Sequence, residues 1–507
     1  MSDNNSSDET PYVVLPPSYT SEKILQKTKA YIKQLIKLWG PKLFYNWEID
    51  EKSKIPKRRK FKSALLSSVY RNQWYPKTMI DRLGFGEMWY YDYREHIYKP
   101  GAEDFFATVT KTIWKDEFEK SVVGPTIYDI KNSSGIQRKN FKLDPRFVPQ
   151  KDNILEFYKD ETTGKWTVKT ISNTPHLYVT SRYQANYNPD AKNTMWDSFL
   201  IDVFEPEDSY FLQEFCGTIL WFESFMTACV LVGPTKGGKS AFTLVICEVL
   251  GPDNYKTIPV QTMNDTYERY RLYKLPANII NEFSTVTIKD SSKLKAIITG
   301  APISARTLHL AAINFIPFTK FLITTNTLPH VYDDNESWWN KWQAIVVSKQ
   351  KFDKDNPDRK DLYHKLLTNT QEKKDAIFTW MVDGLLRVLN QNGNFSNRQD
   401  WEDVRKVWKS QADTLDSFLY IGNGWVKLND DEYSAKTEVL AHYLDYCKEM
   451  GLTPLSPQAF YKQMKRRYLD IDNPVFRTIK KDINGKNVNC YGSLEIITQV
   501  GEPENDS

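Results

Sequence analysis

One stretch limits this chain more than any other: residues 231–240 read LVGPTKGGKS. The form is G-x-x-x-x-G-K-S, built from Gly233, Pro234, Thr235, Lys236, Gly237, Gly238, Lys239 and Ser240. An apolar run, FMTACVLV, leads straight into it, and KSAFTLVICEVLG leaves it with a helical pattern. That strand–loop–helix context separates a phosphate-binding loop from a chance glycine-rich turn. Glycines let backbone N–H groups close around a β-phosphate, and the helix N-terminus adds the positive end of its dipole. Lys239 would reach the β- and γ-phosphates, and Ser240 would offer its hydroxyl to Mg²⁺. The expected ligands are therefore ATP and Mg²⁺. The loop alone does not separate kinases, GTPases, transporters and helicases.

Two further strand ends narrow the choice. ANIINEF is an apolar strand closing on Glu282, placed to orient Mg²⁺ or to act as general base toward a water. KFLITTN closes on Asn326, an amide that could hold the attacking water or sense the γ-phosphate. Around them, residues 225–350 alternate apolar strands with helices, the α/β pattern of a nucleotide-binding domain.

Composition excludes other classes. No run of about 18 uncharged apolar residues is present, so no membrane-spanning helix is expected. The polar, acidic start MSDNNSSDET is the reverse of a secretory signal. Five scattered cysteines without C-x-x-C spacing argue against a disulfide framework and a zinc site, and suit a reducing, cytoplasmic compartment. With 40% hydrophobic and 26% charged residues the chain reads as globular. A net charge of +4 does not announce a nucleic-acid binder, so only local clusters could serve.

Such clusters exist. EKSKIPKRRKFKS puts seven basic residues between Lys52 and Lys62, fitting a solvated loop, a polyanion-binding patch or a nuclear import signal. Further on, EYSAKTEVLAHYLDYCKEMG and SPQAFYKQMKRRYLDI read as two helices, with Gly451 ending the first and Ser456–Pro457 starting the second. The second helix carries Lys462, Lys465, Arg466 and Arg467. VFRTIKKDINGKNVNCYGSLEII then alternates about Asn484–Gly485, a hairpin turn signal, with Lys480, Lys481 and Lys486 along it. Helix–turn–helix plus hairpin suggests a winged-helix domain whose basic residues contact DNA phosphates, or a protein-binding version with a solvated basic face.

At Glu282, Asn326 and the run between them, a family likeness enters. LPANIINEF, LKAIITGAPISAR, TTNTLP and the acidic stretch ending in Ser337–Trp338–Trp339 resemble superfamily 3 helicases, specifically the helicase half of the primase–helicases of poxviruses, phages and plasmids. The likeness is strongest over residues 180–350. It implies an AAA+-type ATPase working as a hexameric ring around DNA. It also implies that Lys239 and Ser240 bind phosphate and Mg²⁺, that Glu282 supports hydrolysis and that Asn326 is the sensor. Arg306 matches a basic position leading into a DNA-facing hairpin, and His309 is the polar residue nearest the tip. Where the family carries an arginine pair donated to the neighbouring subunit, this chain has Asn340 and Lys341. A lysine keeps the charge without the bidentate fork. Asn281 stands where a second acid would precede Glu282. His96 and His176 lack the acidic partners of a primase centre, Asp92 and Glu95 reading as a surface turn, so priming by a separate primase or polymerase is expected.

The expected fold is α/β: an AAA+-type P-loop ATPase core with a mixed α+β N-terminal region and a C-terminal winged-helix domain. The divisions are a polar lead at 1–20, a collar-like region at 21–205, the ATPase core at 206–350, a helical extension at 351–430 and the winged helix with its tail at 431–507. The expected function is a ring-forming replicative DNA helicase of a virus or plasmid, working inside the host. The rivals are an origin-binding initiator or helicase loader switched by ATP, and a DNA-packaging-type motor.

Overall fold

The computed structural model describes residues 45–49, 56–81, 84–114, 120–235, 237–283, 290–307, 312–331, 335–347, 363–419, 425–450, 452–469, 475–483 and 486–497, with isolated positions among the rest. It is a mixed α/β chain with several sheets. It divides into two compact units, residues 1–186 with 304–315, and residues 187–303 with 316–507.

In the first unit β1 (Tyr45–Ile49) pairs antiparallel with β2 (Pro56–Phe61). The basic run PKRRKF is therefore a strand held by backbone pairing, and not the loop that its charge also allows. Then follow α1 (Ser63–Trp74), β3 (Lys77–Asp81), β4 (Gly84–Asp92), β5 (Ile97–Pro100), α2 (Ala102–Trp114), α3 (Lys120–Ser133) and β6 (Gly135–Gln137). GEMWYYDYREHIYKP supplies most of β4 and β5, paired with Asp92 opposite Ile97. The sheet runs β5-β4-β3-β6, and its core is aromatic, with Tyr70, Trp74, Tyr91, Tyr98 and Phe106 all fully buried. A meander of β7 (Phe147–Pro149), β8 (Ile154–Lys159) and β9 (Trp166–Ile171) follows, with Thr163–Gly164 in the hairpin connection between β8 and β9. Ile24, Ile32, Ile36 and Leu38, whose spacing predicts a helix with one apolar face, lie outside the described residues.

In the second unit α4 (Thr194–Val203) is capped by Asn193, whose side chain accepts from the Trp196 N–H. After α5 (Pro206–Thr218) come β10 (Ala228–Val232), α6 (Lys239–Leu250), β11 (Tyr255–Lys256), α7 (Thr266–Tyr270), β12 (Ala277–Ile280) and α8 (Ser292–Thr299). The chain then crosses into the first unit for the hairpin of β13 (Ile303–Ala305) and β14 (Ile313–Phe315), and returns to the second for β15 (Lys320–Thr325), α9 (Glu336–Trp339) and β16 (Trp342–Val346). Five strands form a parallel sheet in the order β11-β12-β15-β10-β16. Every residue of β10, β12 and β15 is buried, so none of these strands alternates; β10 reads as a continuous apolar run, while β12 buries Asn278 and β15 buries Lys320 among apolar residues. Because all five strands are parallel, their C-terminal ends share one edge.

Helices α10 (Tyr363–Thr368), α11 (Gln371–Asn390), α12 (Trp401–Ala412) and α13 (Thr414–Leu419) continue the chain. Trp408 on α12 packs against Trp338, Trp339, Trp342 and Phe283, with ring centroids 5.1–6.1 Å apart. Its indole N–H donates to the Pro329 carbonyl at 2.8 Å. The C-terminal part holds β17 (Val426–Ala435), α14 (Lys436–Glu449), α15 (Pro457–Met464), β18 (Arg477–Ile483) and β19 (Lys486–Ile496), with an antiparallel sheet ordered β17-β19-β18. Tyr433–Ala435, expected in a helix, instead closes β17 opposite Cys490–Gly492; strand pairing overrides local pattern there. One hydrophobic cluster runs from Leu415 through Tyr443 and Phe460 to Leu494.

Candidate nucleotide site

The glycine loop leaves β10 at Val232 and enters α6 at Lys239, as its pattern requires. Gly233 has φ of 152°, and a Cβ there would lie 2.3 Å from the Val347 carbonyl oxygen. Gly238 caps α6 at φ of 90°, where a side chain would be strained. Pro234 and Thr235 continue the loop outward to an exposed position, Gly237 is buried, and Lys236 lies outside the described residues.

Lys239 is 6% exposed, and its Nζ donates to the carbonyls of Gly233 and Pro234, each at 2.7 Å. A third contact at 3.3 Å runs to Oδ1 of Asn326, just past the end of β15. Burial brings the Lys239 ammonium down to a pKa of about 8. The charge is thus held under the loop by main-chain oxygens, where an incoming phosphate would replace them.

The neighbouring strand ends are tied to this loop by hydrogen bonds the sequence did not announce. Gly233 N–H donates to the Thr325 carbonyl at 3.3 Å. Thr324 Oγ1 donates to the Asn281 carbonyl at 2.9 Å, and Thr243 Oγ1 on α6 donates to Asn281 Oδ1 at 2.7 Å. Asn281 is therefore a positioning residue, since it fastens the end of β12 to the loop's own helix. Thr243 lies four residues after Lys239, on the same helix face, and that spacing was the available signal. Glu282 follows, exposed, with Phe283 behind it buried against Trp342 and Trp408. Ser240, also exposed, stands in the first turn of α6.

Lys239, Asn326 and the Asn281–Glu282 turn are so brought to one edge of the sheet. Lys341 is not. It precedes β16, and its carbonyl accepts from Ala228 N–H at 2.7 Å, at the opposite end of β10. Five residues of strand separate it from the loop, roughly 16 Å at about 3.3 Å per residue. Its ammonium is lowered by burial and by the nearby cations Arg398 and Lys295. Arg306 belongs to the other compact unit, and His309 lies outside the described residues.

The residues fit a nucleoside triphosphate with Mg²⁺. Gly233 and Gly237 let the loop pack closely on Val347, a buried lysine rests on main-chain acceptors, and a serine hydroxyl and a carboxylate stand exposed after strands of the same sheet.

The C-terminal basic residues separate into different roles. Lys462, Lys465 and Arg466 are exposed, but Arg467 binds Asp413 through both terminal nitrogens, at 3.0 and 2.8 Å, and reaches Asp416 as well. Burial alone would lift the Asp413 carboxyl, and the Arg467 fork holds it below the usual carboxylate range. The cause is backbone form: after Met464 the α-helix gives way to a π-helix over Lys465–Leu469, which shifts every later side chain around the axis. On the hairpin, Ile483 pairs with Lys486; Asn484 and Gly485, expected to form the turn, lie outside the described residues. Lys480 stands opposite Asn489 and Lys481 opposite Val488, so the two lysines point to opposite faces; Lys486, opposite Ile483, shares the Lys481 face.

Residues 231–341 match the model of a family of unknown function (DUF5906). No curated protein matches the chain. Among solved structures, the A form apo structure of the NrS-1 C terminal region is similar at 12% identity and a TM-score of 0.45, over 86% of this chain and 100% of that one. The apo structure of NrS-1 C terminal region (305-718) is similar at 11% identity and a TM-score of 0.43, over the same shares.

Proposed function

We propose that this chain is an ATP-dependent motor on DNA, a P-loop ATPase of AAA+ type that acts as a ring-forming replicative helicase. The observation that carries the reading is the convergence at one sheet edge: the buried Lys239 touches Asn326, and Asn281 anchors the turn bearing Glu282 to the helix bearing Ser240. The strand order, with the loop strand β10 between β15 and β16, also suits that class.

In this reading the loop amides and Lys239 bind the β- and γ-phosphates, and Ser240 and Glu282 hold Mg²⁺, whose charge would offset that of the phosphates. Lys239 exchanges the Gly233 and Pro234 carbonyls for phosphate oxygens, so little ordering remains to be done on binding. Glu282 accepts the proton of the attacking water, and Asn326 orients that water while staying in contact with Lys239. Lys341, at the far end of the sheet from its own loop, would serve a neighbouring subunit's site in a ring. The C-terminal helices and hairpin act as a winged helix on DNA.

ATP hydrolysis with Mg²⁺ and strand displacement on forked DNA test the reading. Wild type is expected to do both, Lys239→Ala neither, and Glu282→Gln to bind ATP without turnover. Hydrolysis without displacement would favour a packaging-type motor. Tight sequence-specific duplex binding without displacement would favour an initiator. A monomer in the presence of ATP and DNA would sink the ring.

A further inference from the structure

The C-terminal part contains a cavity of about 770 Å³, within the range that bound small ligands occupy. It lies between the start of α14, the α15–π-helix junction and the β18–β19 face, and it has no part in the nucleotide site. Lys436, Lys465, Tyr461, Tyr491, Asn487 and Asn489 line it, and its lining contains no carboxylate.

Its parts are held in place. Lys436 Nζ sits 4.9 Å from the centroid of the buried Tyr491 ring and donates to Thr478 Oγ1 at 3.3 Å. Tyr461 donates its hydroxyl to the Lys436 carbonyl at 3.3 Å, which fixes its half-buried ring. Asn487 and Asn489 are exposed on the strand face that also carries Thr478 and, at the next position on that face, Lys480. The acid on that face, Asp482, stands opposite Asn487 toward the hairpin end and outside the lining. Lys465 and Leu469 reach the cavity from the π-helix, a form that often marks functional sites.

We propose that this cavity takes one unpaired nucleotide of a single-stranded nucleic acid. A fixed aromatic ring offers a stacking surface, two amides can bond a base edge, and two lysines can meet the flanking phosphates. Duplex DNA offers a phosphate rail and no free base, so it would use the lysines and leave the aromatic and amide groups idle. The inference deepens the DNA half of the proposed function. Its binding needs no ATP, and Lys239→Ala is expected to leave it intact, so the two readings can fail separately.

The test is fluorescence anisotropy of the full chain, without nucleotide, on labelled oligothymidylate or oligouridylate of about 16 nucleotides and on a blunt duplex of equal length. Wild type is expected to prefer either single strand to the duplex. Tyr461→Ala should weaken single-strand binding roughly tenfold, Tyr461→Phe, which keeps the ring but loses its hydroxyl anchor, should weaken it less, and Lys436→Gln should lower the salt slope by about one. Where Tyr461→Ala lowers the melting temperature, the exposed pair Asn487→Ala with Asn489→Ala replaces it, with several-fold weaker binding expected. Unchanged single-strand binding in the folded variants would overturn the proposal. So would tighter binding to the duplex, or competition by free thymidine monophosphate as effective as by the oligonucleotide.

Discussion

The loop edge of the parallel sheet and the basic face of the C-terminal part both gather lysines, but they hold them differently. Lys239 is buried and held by the main-chain oxygens of its own loop and by a strand-end amide. Lys436, Lys465 and Lys480 are half-buried or exposed, and what they face depends on pairing between distant segments. A charge fixed by local backbone is legible in the sequence. A charge fixed by another element's register is not.

The sharpest way to break this comparison is Lys239→Ala. In the proposed function it removes the charged donor to the phosphates, and a loss of roughly 10²–10³-fold in ATP turnover is expected, measured by phosphate release. Gly233→Ala comes next. Its new Cβ would meet the Val347 oxygen at 2.3 Å in a backbone form disfavoured for alanine, and about 2–3 kcal/mol of stability should be lost by denaturant titration. On the other side, Arg467→Gln should destabilise the C-terminal part by about 1–2 kcal/mol, because Asp413 loses a bidentate partner while both groups keep some solvent contact. A separate low-temperature transition in a thermal melt would report it.

The pH dependence tests the loop more finely. Lys239 has a pKa of about 8 before ligand binds, and phosphates would raise it. Above pH 8 the bound form then holds more protons than the free form, so affinity falls as pH rises; below it, affinity is flat. Isothermal titration of a non-hydrolysable ATP analogue across pH 7–9.5 should show that one-sided fall, and a rise would contradict it. The smallest effect separates Lys480 from Lys481. Lys480→Ala should weaken oligonucleotide binding a few-fold, and Lys481→Ala, on the other strand face over the Tyr433 ring, should do less.

Much of the second unit could be read directly. The apolar runs ending at Val232, Ile280 and Thr325 are buried parallel strands, and Asn193 and Ser456 are helix caps. These features rest on short-range chemistry: a helix start needs an acceptor three residues back, and a central strand needs mostly apolar residues on both faces. Other features gave no such signal, among them the strand at Tyr433–Ala435 and the π-helix after Met464. The Arg467 clasp on Asp413 and the tryptophan cluster gathered by Trp408 behind Glu282 were equally hidden. The strand, the clasp and the cluster each depend on a partner far along the chain, which no local pattern encodes.

A glycine-rich loop between a strand and a helix, two polar strand ends beside it and a basic C-terminal stretch are legible in the sequence alone. Glycine spacing and apolar runs dictate backbone form directly, so these were visible without a partner. Only the tertiary structure decided that Asn281 fastens Glu282 to the loop's helix, that Lys341 lies at the opposite edge, and which C-terminal lysines share a face with Tyr461 and Asn489. Parallel alignment sets which strand ends meet. Antiparallel register and the π-helical turn set which way each cation points, and both follow from packing between segments far apart in the chain.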